Sequence, residues 1–379
     1  MRPKNQGMIP LARRGVRHAL RTAGHRTWAN PKSVDILPRE INGCARFALT
    51  SWSSWRLEKP RRVRYRRRDQ DHLRHFRATS ARSGPTRERT PLRDAMKTAR
   101  LLIRCPDRPG IIGSIASFLH LHGANITSLD QHSTEAEGGE FFMRLEFQTP
   151  SIDLPRTALI QSFDAVIAKQ FELDYRLTWS EDVAKTAILV SKHDHALQEL
   201  LWRWKRKQLP TQISMVISNH EDLRESVETF GVPFHHVPVT AETKQAAEEK
   251  QLELLDGNAD LVVLARYMQI LSPRIVDAYP SRIINIHHSF LPAFVGADPY
   301  RQALEKGVKL VGATAHYVTA ELDQGPIIEQ GVARVSHRDS VEDLRELGRS
   351  VEREVLARAV RWHLEDRVVV TGNKTLVFA

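Results

Sequence analysis

The chain has 379 residues, 41% of them apolar and 27% charged, enough for two or three domains with real cores. No stretch approaches the ~20 unbroken apolar residues of a membrane helix, which excludes a spanning protein, and no membrane partner is expected. Cys44 and Cys105 are the two cysteines, too few for a disulfide framework or a Cys-rich zinc site, and a reduced, cytoplasmic compartment is expected. The net charge of +11 invites a nucleic-acid reading, but residues 1–95 carry 24 Lys and Arg against 7 Asp and Glu. The remaining chain is mildly acidic.

Residues 1–95 show no sustained period, have no acidic residue before Asp35, and contain the run from Arg61 to Arg68. Dense like charge and little apolar surface predict a basic, disordered extension. Three readings compete for it. An Arg-rich, acid-poor beginning fits organellar targeting; Trp52, Trp55 and Tyr65 among arginines fit a nucleic-acid arm; or Met96 is the true start and the preceding residues are an over-extended reading frame. Nucleic acid is not the expected partner of the body.

Residues 96–179 read as β-α-β-β-α-β. Ala99–Arg104 alternates as a strand, Ile111–His120 is apolar at helical spacing, and Pro109 suits a first helical turn. Gly123 supplies a left-handed cap, Gly138 and Gly139 a hairpin turn into Glu140–Phe147, and a second helix (156–169) leads to a strand over Glu172–Leu177. With Asp107-Arg108-Pro109-Gly110 at the first turn and Gly123-Ala124-Asn125-Ile126 after the helix, this layout resembles an ACT domain. The resemblance implies a ferredoxin-like module that pairs with a second copy, a homo-oligomer, and an amino-acid effector near Asp107, Gly110, Ile111 and Asn125. Exposed N–H groups at a helix start suit a carboxylate; the plainer alternative is that Asp107 and Gly110 only shape the turn.

After a linker around Ser180–Lys185, residues 186–379 alternate strands and helices. Strands are expected at Ala187–Val190, Ile213–Ile217, Phe234–Val239, Leu261–Ala265, Arg282–Asn285 and Gly312–Val318, with helices between them, notably Glu221–Phe230 and Ala241–Leu255. Such alternation implies a mostly parallel sheet whose ligands collect at strand carboxyl ends. The densest polar cluster is Asn285-Ile286-His287-His288-Ser289-Phe290-Leu291-Pro292-Ala293-Phe294. Strand alternation puts Asn285 beside His287, and Thr314 beside His316 and Val318. The latter strand runs into Leu322-Asp323-Gln324-Gly325-Pro326, a turn by composition. An amide, imidazoles and a carboxylate on neighbouring strand ends can polarise a carbonyl, hold an oxyanion and move a proton. Three histidines without a further ligand at metal spacing give no metal site. Ser340-Val341-Glu342-Asp343 is close to a capping box opening a long helix, and Val368–Phe378 is a closing hairpin around Gly372-Asn373.

These two motifs, Asn285–Phe294 and His316-Tyr317-Val318 with Leu322–Ile328, resemble the formyltransferase/deformylase fold that uses formyltetrahydrofolate. With the ACT-like module in front, residues 96–379 resemble the formyltetrahydrofolate deformylase family. The resemblance implies an α/β chain: an N-terminal ferredoxin-like βαββαβ domain, then a Rossmann-like formyltransferase domain. It implies catalytic roles for Asn285, His287 and Asp323 with His316 beside them. It implies a pterin pocket lined by Arg266, Met268, Gln269, Ile270 and Leu271, with His288 at the substrate. The implied reaction is hydrolysis of 10-formyltetrahydrofolate to formate and tetrahydrofolate, supplying formate for purine synthesis, with the folate as substrate and no cofactor. Glycine and methionine are the implied effectors.

Two rivals remain at this level: formyl transfer to an amine, and a non-catalytic, amino-acid-responsive folate binder. Against transfer, the loop after the first strand of this domain, Ser191-Lys192-His193-Asp194-His195, lacks the glycines whose bare N–H groups cradle a phosphate. Against the binder, an inactive site has no chemical need for Asn285, His287 and Asp323 together.

Overall fold

The computed structural model describes residues 98–135, 138–149, 154–291 and 299–379. The expectations for residues 1–95, and those for Pro292, Ala293 and Phe294, lie outside the described residues.

The first module runs β1 (Thr98–Pro106), α1 (Ile111–Leu121), β2 (Asn125–Ser133), β3 (Glu140–Gln148), α2 (Arg156–Phe163), a π-turn (Asp164–Ala168), α3 (Lys169–Phe171) and β4 (Asp174–Trp179). Its strands form an antiparallel sheet in the order β2-β3-β1-β4. The period of two in β1 sends Ala99, Leu101, Ile103 and Cys105 into the core under the helices, while Leu102 faces the other way with Phe142. In α1, Ile111, Ile115, Phe118 and Leu119 form the buried stripe that helical spacing requires. Gly110 caps this helix in a left-handed conformation with φ of 96°, which glycine takes without strain, so Pro109 lies just ahead of the first turn and not in it.

The second module is a seven-stranded sheet in the order β11-β10-β9-β8-β5-β6-β7. Its members are β5 (Ala184–Val190), β6 (Thr211–Ser218), β7 (Phe234–His236), β8 (Leu261–Leu264), β9 (Ile283–His287), β10 (Leu310–Tyr317) and β11 (Ile327–Arg334). The five strands from β9 to β7 are parallel, whereas β10 pairs antiparallel with both β9 and β11. Helices α4 (His195–Lys205), α5 (Arg224–Glu228), α6 (Lys244–Leu255), α7 (Pro273–Ala278), α8 (Pro299–Glu305) and α9 (Val341–Leu364) connect and cover them. Strand β5 shows why both faces are covered: Ile188 and Val190 enter one core with α4 and α9, Ala187 and Leu189 the other with α6 and α7. The sheet starts at Ala184, two residues before the expected boundary, and the expected helix over 221–230 contracts to Arg224–Glu228.

Ser340 and Asp343 form the capping box of α9, a helix about 36 Å long at 1.5 Å per residue. Its carboxyl end abuts the first module. Buried Arg144 of β3 donates to the carbonyls of Glu365 and Asp366, and the Asp366 carboxylate accepts from Thr178 and pairs with Arg176. The closing hairpin, β12 (Val368–Thr371) and β13 (Lys374–Val377), follows; Val369 and Phe378 pack on Leu102 and Phe142. The face of the first sheet away from its own helices is thereby covered by the chain's C-terminal end.

Candidate active site

A cleft of about 230 Å³ opens where β8 and β9 end beside the last residues of β10. Antiparallel pairing sets Asn285 directly opposite His316, and His287 opposite Thr314. Of Thr314, His316 and Val318, which alternation along β10 sets on one side, two reach the cleft. His316 and Val318 line it, but Thr314 is fully buried and binds the Ser289 carbonyl and the Leu291 N–H. Thr314 therefore ties down the chain leaving β9 and is not a cleft residue.

Asp323 arrives from the turn after β10, with φ of 56°. Gly325 behind it lies against the Tyr317 carbonyl so closely that any Cβ there would collide with backbone. The Asp323 carboxylate reaches His287, with Nδ1 to Oδ2 at 3.2 Å. This hydrogen bond, with His316 Nε2 3.7 Å from the other oxygen, holds the Asp323 carboxyl well below the usual carboxylate range. An ionised carboxylate only accepts, so the proton of this pair sits on His287 Nδ1 and Nε2 is left for a ligand. His316 donates from Nδ1 to the Tyr317 carbonyl at 2.9 Å, and its Nε2 meets the Asn285 amide nitrogen at 3.3 Å. Asn285 thus spends one amide hydrogen on His316 and keeps the other free to donate.

The other wall is the segment after β8. Arg266 adopts a left-handed conformation, φ of 61°, which costs a non-glycine residue on the order of 1 kcal/mol. Several contacts hold it. The Ser191 N–H donates to the Arg266 carbonyl, and Ser191 Oγ accepts from the Met268 N–H while donating to Asn219. Gln251 of α6 donates to Tyr267 Oη at 2.8 Å, and Glu248 accepts from the Ser272 N–H. Burial raises the Tyr267 phenol to about 12, the Gln251 bond opposing it, so it stays neutral. The anchored segment presents Met268 and Ile270, both more than half exposed, across from similarly exposed Leu322. Three apolar side chains bare to solvent around a cleft suit a flat, mostly apolar ligand.

Arg266, Met268, Gln269, Ile270, Leu271, Asn285, His287, His288, His316 and Asp323 all line this one cleft. His288 is pushed down to about 4 by burial and then by the charges of Arg266 and His287, so it stands as a neutral imidazole. Among the described residues no cluster of His, Cys, Asp or Glu has the makings of a metal centre. Sequence reasoning missed three contributors. By sequence Ser191 belongs to a glycine-free loop, and Tyr300 stands in no motif. Glu352, 2% exposed, sits on the apolar stripe of α9 with Gly348, Val355 and Ala359; an acid in such a stripe was the available signal.

The residues expected to meet an effector are less gathered. Asp107, Gly110 and Ile111 share the turn from β1 into α1, with the Ile111 side chain buried. Asn125 does not join them within one chain. It pairs with Gln148, whereas Pro106 pairs with Glu140, which separates the two ends by about 27 Å along β3.

Residues 184–360 match the family described as formyl transferase, and residues 99–162 match the ACT domain. The formyltetrahydrofolate deformylase of Bacillus subtilis (strain 168) is 53% identical over 280 residues, covering 74% of this chain and 93% of that relative. The crystal structure of a formyltetrahydrofolate deformylase from Pseudomonas syringae pv. tomato DC3000 superposes with a TM-score of 0.73 at 49% identity, covering 76% of this chain and 96% of that one. A formyltetrahydrofolate deformylase from Burkholderia mallei gives a TM-score of 0.70 at 42% identity, covering 74% and 99%.

Proposed function

The chain belongs to the formyltetrahydrofolate deformylase family, and on that premise we propose that it hydrolyses 10-formyltetrahydrofolate to formate and tetrahydrofolate. The observation that carries the reading is the convergence of Asn285, His287 and Asp323 on the apolar-lipped cleft. The pterin lies against Met268, Ile270 and Leu322, with its edge reading the backbone of the 266–271 segment beside Gln269 and Leu271. This leaves the formyl group at the inner end.

Water attacks the formyl carbon, and the carbonyl electrons move onto oxygen. The free amide hydrogen of Asn285 and the Nε2 side of the His287 ring stabilise that oxyanion, a contribution that preorganised groups make without reorienting. Asp323 fixes the His287 ring and helps remove the proton of the attacking water. Collapse breaks the C–N10 bond, N10 takes a proton, and formate leaves. His316 acts through Asn285, presenting its amide in one orientation. Every step runs on side chains of this chain, and the folate is substrate, not cofactor.

The ACT module adds regulation by an amino acid, glycine or methionine being the candidates. At the Asp107 turn, Gly110 leaves the first N–H groups of α1 to receive a ligand carboxylate. Since Asn125 stands at the far end of the sheet, a ligand touching both it and the turn needs a second copy, which favours a homo-oligomer.

The test is formate release by the purified chain from 10-formyltetrahydrofolate with no amine present, with and without glycine or methionine. Turnover without an acceptor supports hydrolysis. Strict dependence on an added amine would replace it with transfer.

A further inference from the structure

Behind His288 lies a buried polar assembly that the proposed chemistry does not use. Glu352 of α9 is ionised: burial works to raise its pKa, but the hydrogen bond from His195 and the charge of Arg266 outweigh it and bring it below its ordinary value. Its Oε2 lies 2.8 Å from His195 Nε2 and 3.5 Å from Arg266 Nε, and its Oε1 accepts from Tyr300 Oη at 3.2 Å. The side chains of His195 and Arg266 are 11% and 12% exposed. Gly348, one turn earlier on α9, has no room for a Cβ beside the Tyr300 hydroxyl, so the helix surface itself is shaped to seat that ring. The Tyr300 ring centre is 6.4 Å from that of His288, which is 5.2 Å from His287.

This assembly sits on one side of the reacting centre. Arg266 and His288 line the cleft, whereas His195, Tyr300 and Glu352 do not. Among the described residues, the cleft thus ends at His288 with an ion-paired network packed behind it. A nucleophile larger than water has no second arm of the cleft from which to meet the formyl carbon on that side.

We propose that Glu352, by holding His195, Arg266 and Tyr300 together behind His288, is a specificity-determining residue that restricts the attacking group to water. The inference rests on the deformylase reading above. Removing Glu352 frees Arg266 and loosens Tyr300, opening the wall beside His288. A primary amine then attacks in place of water: its nitrogen bonds to the formyl carbon, the C–N10 bond breaks, the amine gives up one proton and N10 takes one.

The experiment supplies the full chain with 10-formyltetrahydrofolate and excess glycinamide, and quantifies formate and N-formylglycinamide by mass spectrometry. The unaltered protein should give formate with only a small, measurable amount of N-formylglycinamide. Glu352→Ala should raise the ratio of N-formylglycinamide to formate at least tenfold, and Tyr300→Ala, which opens the same wall without stripping Arg266 of its partner, serves if the first variant does not fold. A purely structural role lowers both products together and leaves the ratio unchanged; that result in a folded variant overturns the proposal. So does N-formylglycinamide formed readily by the unaltered protein. Absence of formate release from the unaltered protein defeats the deformylase reading itself, a separately recognisable outcome.

Discussion

Gly325 and Tyr317 touch backbone to backbone: the Tyr317 carbonyl occupies the space where any other residue at 325 would carry its Cβ, while the Tyr317 N–H bonds to the Pro326 carbonyl. The turn that delivers Asp323 is therefore folded flat against the end of β10. Gly325→Ala should push this turn away and separate Asp323 from His287. We expect at least a hundredfold loss of formate release with the sheet intact by circular dichroism, since ångström-scale misplacement of a reacting group costs on that order.

Replacing Asn285 by Ala removes the proposed oxyanion donor and should lower kcat about 10² to 10³-fold. Asp323→Asn, which cannot hold the Nδ1 proton of His287 as an anion does, should cost at least as much. Steady-state kinetics on the two variants decide the matter; near-normal turnover by either removes that residue from the mechanism.

Ser191→Ala deletes the hydroxyl that accepts from the Met268 N–H and donates to Asn219. A lost buried hydrogen bond is worth about 1 to 3 kcal/mol, and the loss falls on the lip, not the reacting groups. KM for the folate should rise about tenfold or more, with kcat changing less. An equal fall in kcat with KM constant contradicts the anchoring role.

The pH dependence of stability follows from two histidines kept neutral by the fold. His288 is pushed down to about 4 and His363 to about 3, the latter by burial and then by Arg176 and Arg282. An unfolded chain protonates both near pH 6.5. Between that pH and the folded values, the unfolded state binds more protons, so their stabilising contribution is present above pH 6.5 and drains away as the pH falls toward 4. Asp323, shifted downward, has the same sign but acts only below about pH 4. Melting temperatures should drop from pH 7 to pH 5, and His288→Asn should shrink that drop; an unchanged slope speaks against a neutral, buried His288.

Arg144 donates to two carbonyls at the end of α9 from a position 2% exposed. Arg144→Ala should cost about 2 to 3 kcal/mol, the range of a hydrogen bond to a charged group, seen as a lowered melting temperature. Unaltered melting would mean that the two modules do not depend on this contact.

Much of this site was legible because short periodicities settle it. A period of two puts Asn285 beside His287 and His316 beside Val318, and the Gly-Pro composition after Asp323 announces a turn. The same rule sets Thr314 on that side but does not reveal that it binds the chain leaving β9, since alternation fixes a side but not whether that side meets the cleft or a neighbouring loop. Strand β11 escaped notice for a tertiary reason. Gly331 weakens the strand pattern, yet α9 passes so near that a Cβ there would lie 2.6 Å from Val355 Cγ2. Glu352 was hidden by its surroundings, because its partners His195, Arg266 and Tyr300 come from distant parts of the chain.

The ladder between β9 and β10 has a consequence for how this chemistry can change. Asn285 and His316 face each other as one rung, and a slip of a single residue would turn both away at once. Amide and imidazole are thus inherited as a unit, and the sheet offers no halfway arrangement. Only the carboxylate rides on a connection that can be exchanged by itself, so grafted variants of residues 319–326 are where the reactivity of this scaffold can be retuned while its framework stays untouched.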